Sequence, residues 1–313
     1  MFIGNSQIYQ FFETALKKDS LSHAYGFVGP EAVGKKALAN EIAAKILKTS
    51  TAKLLNHPDY FLLNRIEDEK TGKLKKFITI EQARSLKGSL QNSVWGGGKR
   101  VVVIDDAELL NAESGNALLK ILEEPPSNTI FFLIIKNESF LLSTIKSRVQ
   151  MIYFSLVPKK IIEEEILKLG VDTEVAKTAA RRSLGRPGRA INLMGEARES
   201  YEGIYKIFSQ LSGAPFYEKL KLIEGLYGDK EDGERGREAW QGILDLWSAW
   251  TRDSILKKHG SARFASEPGV FSAVNYSDQE LINILDGFQR VKTLLRENVH
   301  PRLAVEELLL KIK

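Results

Sequence analysis

Gly29-Pro30-Glu31-Ala32-Val33-Gly34-Lys35-Lys36 carries the frame G-x-x-x-x-G-K. Backbone N–H groups of such a loop cradle phosphates at a helix N-terminus, and the lysine reaches the outer phosphates. The flanks have the order this geometry requires. Ala24-Tyr25-Gly26-Phe27-Val28 is a short apolar run ahead of the loop, and residues 37–47 behind it repeat apolar side chains at helical spacing. The last position departs from the pattern. Lys36 stands where Ser or Thr normally offers a hydroxyl to the Mg²⁺ of the nucleotide, and an ammonium has no lone pair to give a metal.

Working outward, Val101-Val102-Val103-Ile104 is a β-branched run that ends in Asp105-Asp106-Ala107-Glu108. A strand of this kind brings a carboxylate to the metal at the C-terminal edge of a parallel sheet. The candidate nucleotide site is therefore Gly29, Gly34, Lys35, Lys36 and Asp105, with Lys36 as its one odd residue. Tyr60-Phe61-Leu62-Leu63, Thr129-Ile130-Phe131-Phe132-Leu133-Ile134-Ile135 and Met151-Ile152-Tyr153-Phe154 read as further buried strands. Between them, Ser6 offers an N-cap to a first helix, Ile80 opens another, and Asn111 caps one that Pro125-Pro126 stops. The expected fold is a P-loop α/β domain with a parallel five-stranded sheet flanked by helices. His23 has no companion histidine nearby and is read as a packing or backbone hydrogen-bonding residue, and Gly96-Gly97-Gly98 as a flexible lead into the acidic strand.

From Pro158 the β signals stop. Helices fit 159–169, 173–184 and 189 to about 210, and then Trp240, Ile243, Leu244, Trp247, Trp250 and Ile255 share one helical face. Such a stripe reads as a packed core or a subunit contact. Further apolar faces recur over 281–295 and 303–312, so an all-α bundle is expected at the C-terminal end.

A chain of 313 residues exceeds what one hydrophobic core usually serves. Net charge is +5, a mild basic excess compatible with nucleic acid, and the absence of cysteine excludes disulfides and thiolate zinc sites. No export signal and no long apolar window occur, so a cytoplasmic protein that spans no membrane is expected.

Four segments together resemble the AAA+ subunits of bacterial DNA polymerase III clamp loaders. They are the loop after His23-Ala24-Tyr25, His57-Pro58-Asp59, Asn116-Ala117-Leu118-Leu119-Lys120-Ile121-Leu122-Glu123-Glu124-Pro125-Pro126, and Thr144-Ile145-Lys146-Ser147-Arg148. The C-terminal run Pro301-Arg302-Leu303-Ala304-Val305-Glu306-Glu307-Leu308-Leu309-Leu310 is similar to the ending of their collar domain. The resemblance implies an AAA+ domain over 1–155, a helical lid over 156–198 and a helical collar that assembles subunits over 199–313. It implies as partners the motor (gamma/tau) and delta subunits, the sliding clamp through the assembled complex, and primed DNA.

Departures from the family pattern point to a stator-like member without its own turnover. Lys36 removes the metal-binding hydroxyl. Asp106 stands where motor subunits carry a glutamate that polarises water. The polar sensor falls on Ile135 or Lys136, and the lid arginine falls on Gly188, with Arg189 one place late. No cofactor is then required, ATP or ADP is at most held passively, and the Mg²⁺ site is lost. Arg148 remains as the arginine that reaches across an interface to a neighbour's γ-phosphate; an intramolecular ion pair is its other reading. The competing expectation is an active motor-type ATPase in which Lys36 is merely unusual. Lys75, Lys76, Arg84, Lys87, Lys99 and Arg100 are candidate contacts to template phosphates.

Overall fold

A computed structural model describes residues 1–91, 93–95, 98–195, 197–226, 234–262, 265–266, 276–297 and 299–313. Gly96 and Gly97 of the triple glycine lie outside them. The chain forms two compact units, Met1–Asp172 with Gly185–Arg189, and Thr173–Leu184 with Ala190–Lys313. Residues of the segment 156–198 fall in both.

The first unit is built on five parallel strands, β1 (Ala24–Val28), β2 (Tyr60–Leu63), β3 (Arg100–Ile104), β4 (Thr129–Ile135) and β5 (Gln150–Tyr153), in the order β2-β3-β4-β1-β5. Its helices are α1 (Ser6–Lys17), α2 (Lys35–Ile46), α3 (Ile80–Leu90), α4 (Ala112–Glu123), α5 (Ser143–Lys146) and α6 (Lys159–Leu167). Successive strand residues point to opposite faces, and both faces are covered. Val102, Ile104, Phe131 and Leu133 pack with Leu86, Leu118, Ile121 and Ile145 on one side. Tyr25, Phe27, Val101, Val103 and Phe132 pack with Phe12, Leu38 and Ile42 on the other. That double burial is why β3 and β4 are unbroken apolar runs.

Side-chain caps start two of these helices, α4 and α3. Asn111 Oδ1 accepts the Ser114 N–H at 2.8 Å, and Thr79 with Gln82 makes a capping box on α3. Ser6 does not cap. It is the first residue of α1, and the preceding Asn5, at φ 44°, uses its amide on the backbone of Ser155.

The second unit is helical: α7 (Thr173–Arg182), the end of α8 (Pro187–Leu193), α9 (Ala197–Leu211), α10 (Phe216–Glu224), α11 (Glu234–Lys258), α12 (Asp278–Arg296) and α13 (Pro301–Leu309). The single helix expected from 189 to about 210 is two helices. Met194 and Gly195 donate to the carbonyls three residues back, which tightens the last turn and ends α8. Trp240, Trp247 and Trp250 are core residues, with Phe208 stacked on Trp247 at 4.9 Å between centroids.

Candidate functional site

The C-terminal ends of the strands gather the loop, the acids and the sensor position on one edge of the sheet, where open α/β folds bind ligands. Gly29 leaves β1 with its N–H on the Ile135 carbonyl at 3.2 Å. Gly34 ends the loop at φ 101°, a conformation that suits glycine, and α2 starts at the next residue. Lys35 Nζ folds back onto the loop's own carbonyls, 2.5 Å from Gly29 O and 2.6 Å from Pro30 O. It is 5% exposed, and burial pulls its pKa down to about 8.

Lys36 meets the acidic strand. Its Nζ lies 2.8 Å from Asp105 Oδ2, with the two side chains 43% and 24% exposed. Asp106 turns the chain in the left-handed region (φ 51°), and its carboxylate is also taken. Lys136 Nζ is 3.1 Å from Oδ1, and Arg65 Nη2 is 3.5 Å from Oδ2. Of the two residues at the sensor position, Ile135 is buried in the core and Lys136 faces the acids. Lys136 also lies 3.8 Å from Glu31 of the loop, and its N–H donates to Glu108 Oε1 at 3.0 Å. Burial raises the pKa of Glu108.

Gly188 seals the loop from another direction. Its N–H donates to Ala32 O at 2.9 Å, and a Cβ added there would lie 3.2 Å from Ala32 Cβ and from Ala32 O. A side chain there would crowd Ala32, whose own backbone lies at φ 60°. Arg189 is half-buried on the next position.

Arg148 follows α5 and precedes β5, away from this cluster in sequence. Its Nη2 is 3.3 Å from Glu123 Oε1 and its Nη1 is 3.3 Å from Ser147 Oγ, so the intramolecular pair exists. Both partners are exposed, at 47% and 43%.

Of the candidate phosphate contacts, Arg100 is corrected. It opens the interior strand β3, is 2% exposed, and donates Nη1 to Leu90 O at 2.6 Å. Lys99 is paired with Asp19. Arg84 and Lys87 do converge, with Lys120 and Asn116 across a groove of about 560 Å³ between α3 and α4. Lys75 and Lys76 are half-buried on the segment before α3. His23 has an exposed ring, and its carbonyl accepts the Phe131 N–H at 2.8 Å.

Sequence reasoning did not single out Arg65, Glu123 or Lys120. The strand register supplies the missing signal for Arg65: Leu63 pairs with Ile104, so the residues two places beyond each strand, Arg65 and Asp106, come level. Among the described residues no group of His, Cys, Asp or Glu is arranged to hold a metal, and no helix is long and apolar enough to cross a membrane.

A family model described as DNA polymerase III, delta subunit, matches residues 4–158. DNA polymerase III subunit delta' of Pseudomonas aeruginosa is 40% identical over 141 residues, a stretch covering 41% of each chain. The corresponding subunit of Haemophilus influenzae is 30% identical over 241 residues, 70% of each chain. In fold, the chain is similar to a DNA polymerase III gamma subunit-related protein of Thermotoga maritima, with a TM-score of 0.54, 20% identity, and coverage of 96% of this chain and 97% of that one. The Haemophilus match spans enough of both chains to decide the matter: this chain belongs to the DNA polymerase III delta' family.

Proposed function

We propose that the chain is a stator-like clamp-loader subunit. In this reading it assembles with motor (gamma/tau) and delta subunits and helps place the sliding clamp on primed DNA. It does not turn over ATP at its own loop, and it lends Arg148 to a nucleotide held by a neighbour. Family membership supports the assembly. The observation that carries the absence of turnover is the internal neutralisation of the loop's edge, with Lys36 on Asp105 and Lys136 with Arg65 on Asp106. An acid held this way is not free to take a metal or orient water. ATP or ADP, if present, is held passively. Arg84, Lys87 and Lys120 in the α3–α4 groove supply positive charge for template phosphates, a contact that needs little besides charge.

The test is ATP turnover by the purified chain, with and without primed DNA, beside mass measurement of mixtures with gamma/tau and delta subunits. Negligible turnover and a defined hetero-oligomer are expected. Mg²⁺-dependent turnover on the order of 1 s⁻¹, within the ordinary enzyme range, would overturn the reading in favour of a motor-type ATPase.

A further inference from the structure

In P-loop sites a hydroxyl at the residue after the loop lysine ligates Mg²⁺, and an acid on a neighbouring strand completes the metal's surroundings. Here those two positions are Lys36, the second residue of α2, and Asp105, the first residue after β3. They bond to each other at 2.8 Å. Mg²⁺ demands oxygen ligands at about 2.0–2.1 Å in octahedral array. An ion on Asp105 Oδ2 would therefore sit against an ammonium of like charge that has nothing to donate to it.

The second acid offers no alternative seat. Asp106 faces Lys136 at 3.1 Å and Arg65 at 3.5 Å. The residues present do not fit a metal–nucleotide pair.

We infer that Lys36 is a built-in replacement for the divalent cation. Its ammonium neutralises Asp105 and ties the start of α2 to the end of β3, a link that a metal and a nucleotide supply in an active site. The consequence is specific: Asp105 has its counter-charge without ligand, and whatever affinity the loop has for a nucleotide is indifferent to Mg²⁺. The inference deepens the reading of the site as one without turnover, and it rests on that reading.

The experiment measures binding of a fluorescent ATP analogue to the full-length chain in Mg²⁺ and in EDTA, with Mn²⁺ uptake followed by electron paramagnetic resonance. For the wild type, affinities in the two conditions are expected to agree within about twofold, or binding to be absent in both, with no nucleotide-dependent Mn²⁺ uptake. Lys36→Thr frees Asp105 and restores a hydroxyl, and is expected to bind the analogue at least about tenfold more tightly with Mg²⁺ than without, with uptake of Mn²⁺. Lys36→Ser takes its place should the threonine variant fail to fold by circular dichroism. A folded variant that remains indifferent to the metal would overturn the inference, as would a tenfold metal dependence in the wild type. Wild-type hydrolysis would instead bring down the underlying reading, so the two failures are told apart.

Discussion

Two sets of charges in the first unit are held in opposite ways. At the ends of β3 and β4, Asp105 and Asp106 are 24% and 21% exposed and have cations at 2.8 and 3.1 Å. Beyond α5, Arg148 is 47% exposed and meets Glu123 only at 3.3 Å. Each acid of the first set is more enclosed than either member of the second, so leaving it unpaired costs more desolvation. Exposure weakens the second, because an ion pair in water contributes about 0–1 kcal/mol. The site that P-loop chemistry would use is satisfied from within, whereas Arg148 meets only an exposed partner.

The largest expected effect tests the outward half of that contrast. Arg148→Ala should lower DNA-stimulated ATP turnover in the reconstituted complex, by about 10³-fold at the neighbour's site that it serves, the lower end for arginine fingers. Assembly should be unchanged, because the side chain is exposed and its loss leaves no buried group unpaired. Steady-state turnover and native mass measure both. Loss of assembly with normal turnover per site would make Arg148 structural and erase the distinction.

A smaller effect sharpens the inward half. Lys35 is held at a pKa of about 8 in the folded chain against the ordinary 10.5 of a solvated lysine, chiefly by burial. Between these values the unfolded chain binds more protons, so stability rises with pH. Below about 8 the full penalty for a buried ammonium applies, and it is relieved as the folded state loses the proton. The gain is roughly 2–3 kcal/mol by pH 10. Above that the buried tyrosines act with opposite sign, since Tyr60 is pushed up to about 12 by burial and by Asp105. Urea midpoints from pH 8 to pH 10 should climb for the wild type and stay flatter for Lys35→Met. Equal slopes would mean that Lys35 is as well solvated as an ordinary lysine.

The sequence announced the sheet because its strands obey one rule. Runs such as Thr129 to Ile135 are buried on both faces and need no partner to be recognised. It announced Lys36 and Asp105 singly, as a missing hydroxyl and an acid at a strand end, but not as a pair. Their meeting depends on where α2 lies against β3, and no local pattern encodes that. Arg65 illustrates the same limit, since only the β2–β3 register brings it level with Asp106. Arg100 misled for a related reason: a basic residue after a glycine run looks like surface, yet as the first residue of an interior strand it lies beside Asp59 and the Phe61 ring and donates to the Leu90 carbonyl. The break between α8 and α9 hid behind continuing apolar periodicity. Gly195 was its sole local mark, and one glycine in a helix costs only about 1 kcal/mol.

The smallest expected effect asks whether Arg148 is as loosely held as its exposure implies. Glu123→Gln removes the carboxylate and keeps the shape, so the wild-type and variant chains should differ in stability by less than about 1 kcal/mol, and by less still in high salt. A double-mutant cycle with Arg148→Gln isolates the pair from other effects of either change. A coupling above about 2 kcal/mol would exceed what an exposed pair contributes and make the guanidinium unavailable to a neighbour. A small coupling, together with turnover in the complex that is unchanged or slightly raised by Glu123→Gln, would mean that Glu123 only rests against Arg148. A triphosphate, with more negative charge and a geometry that accepts two parallel N–H bonds, would then displace it without penalty.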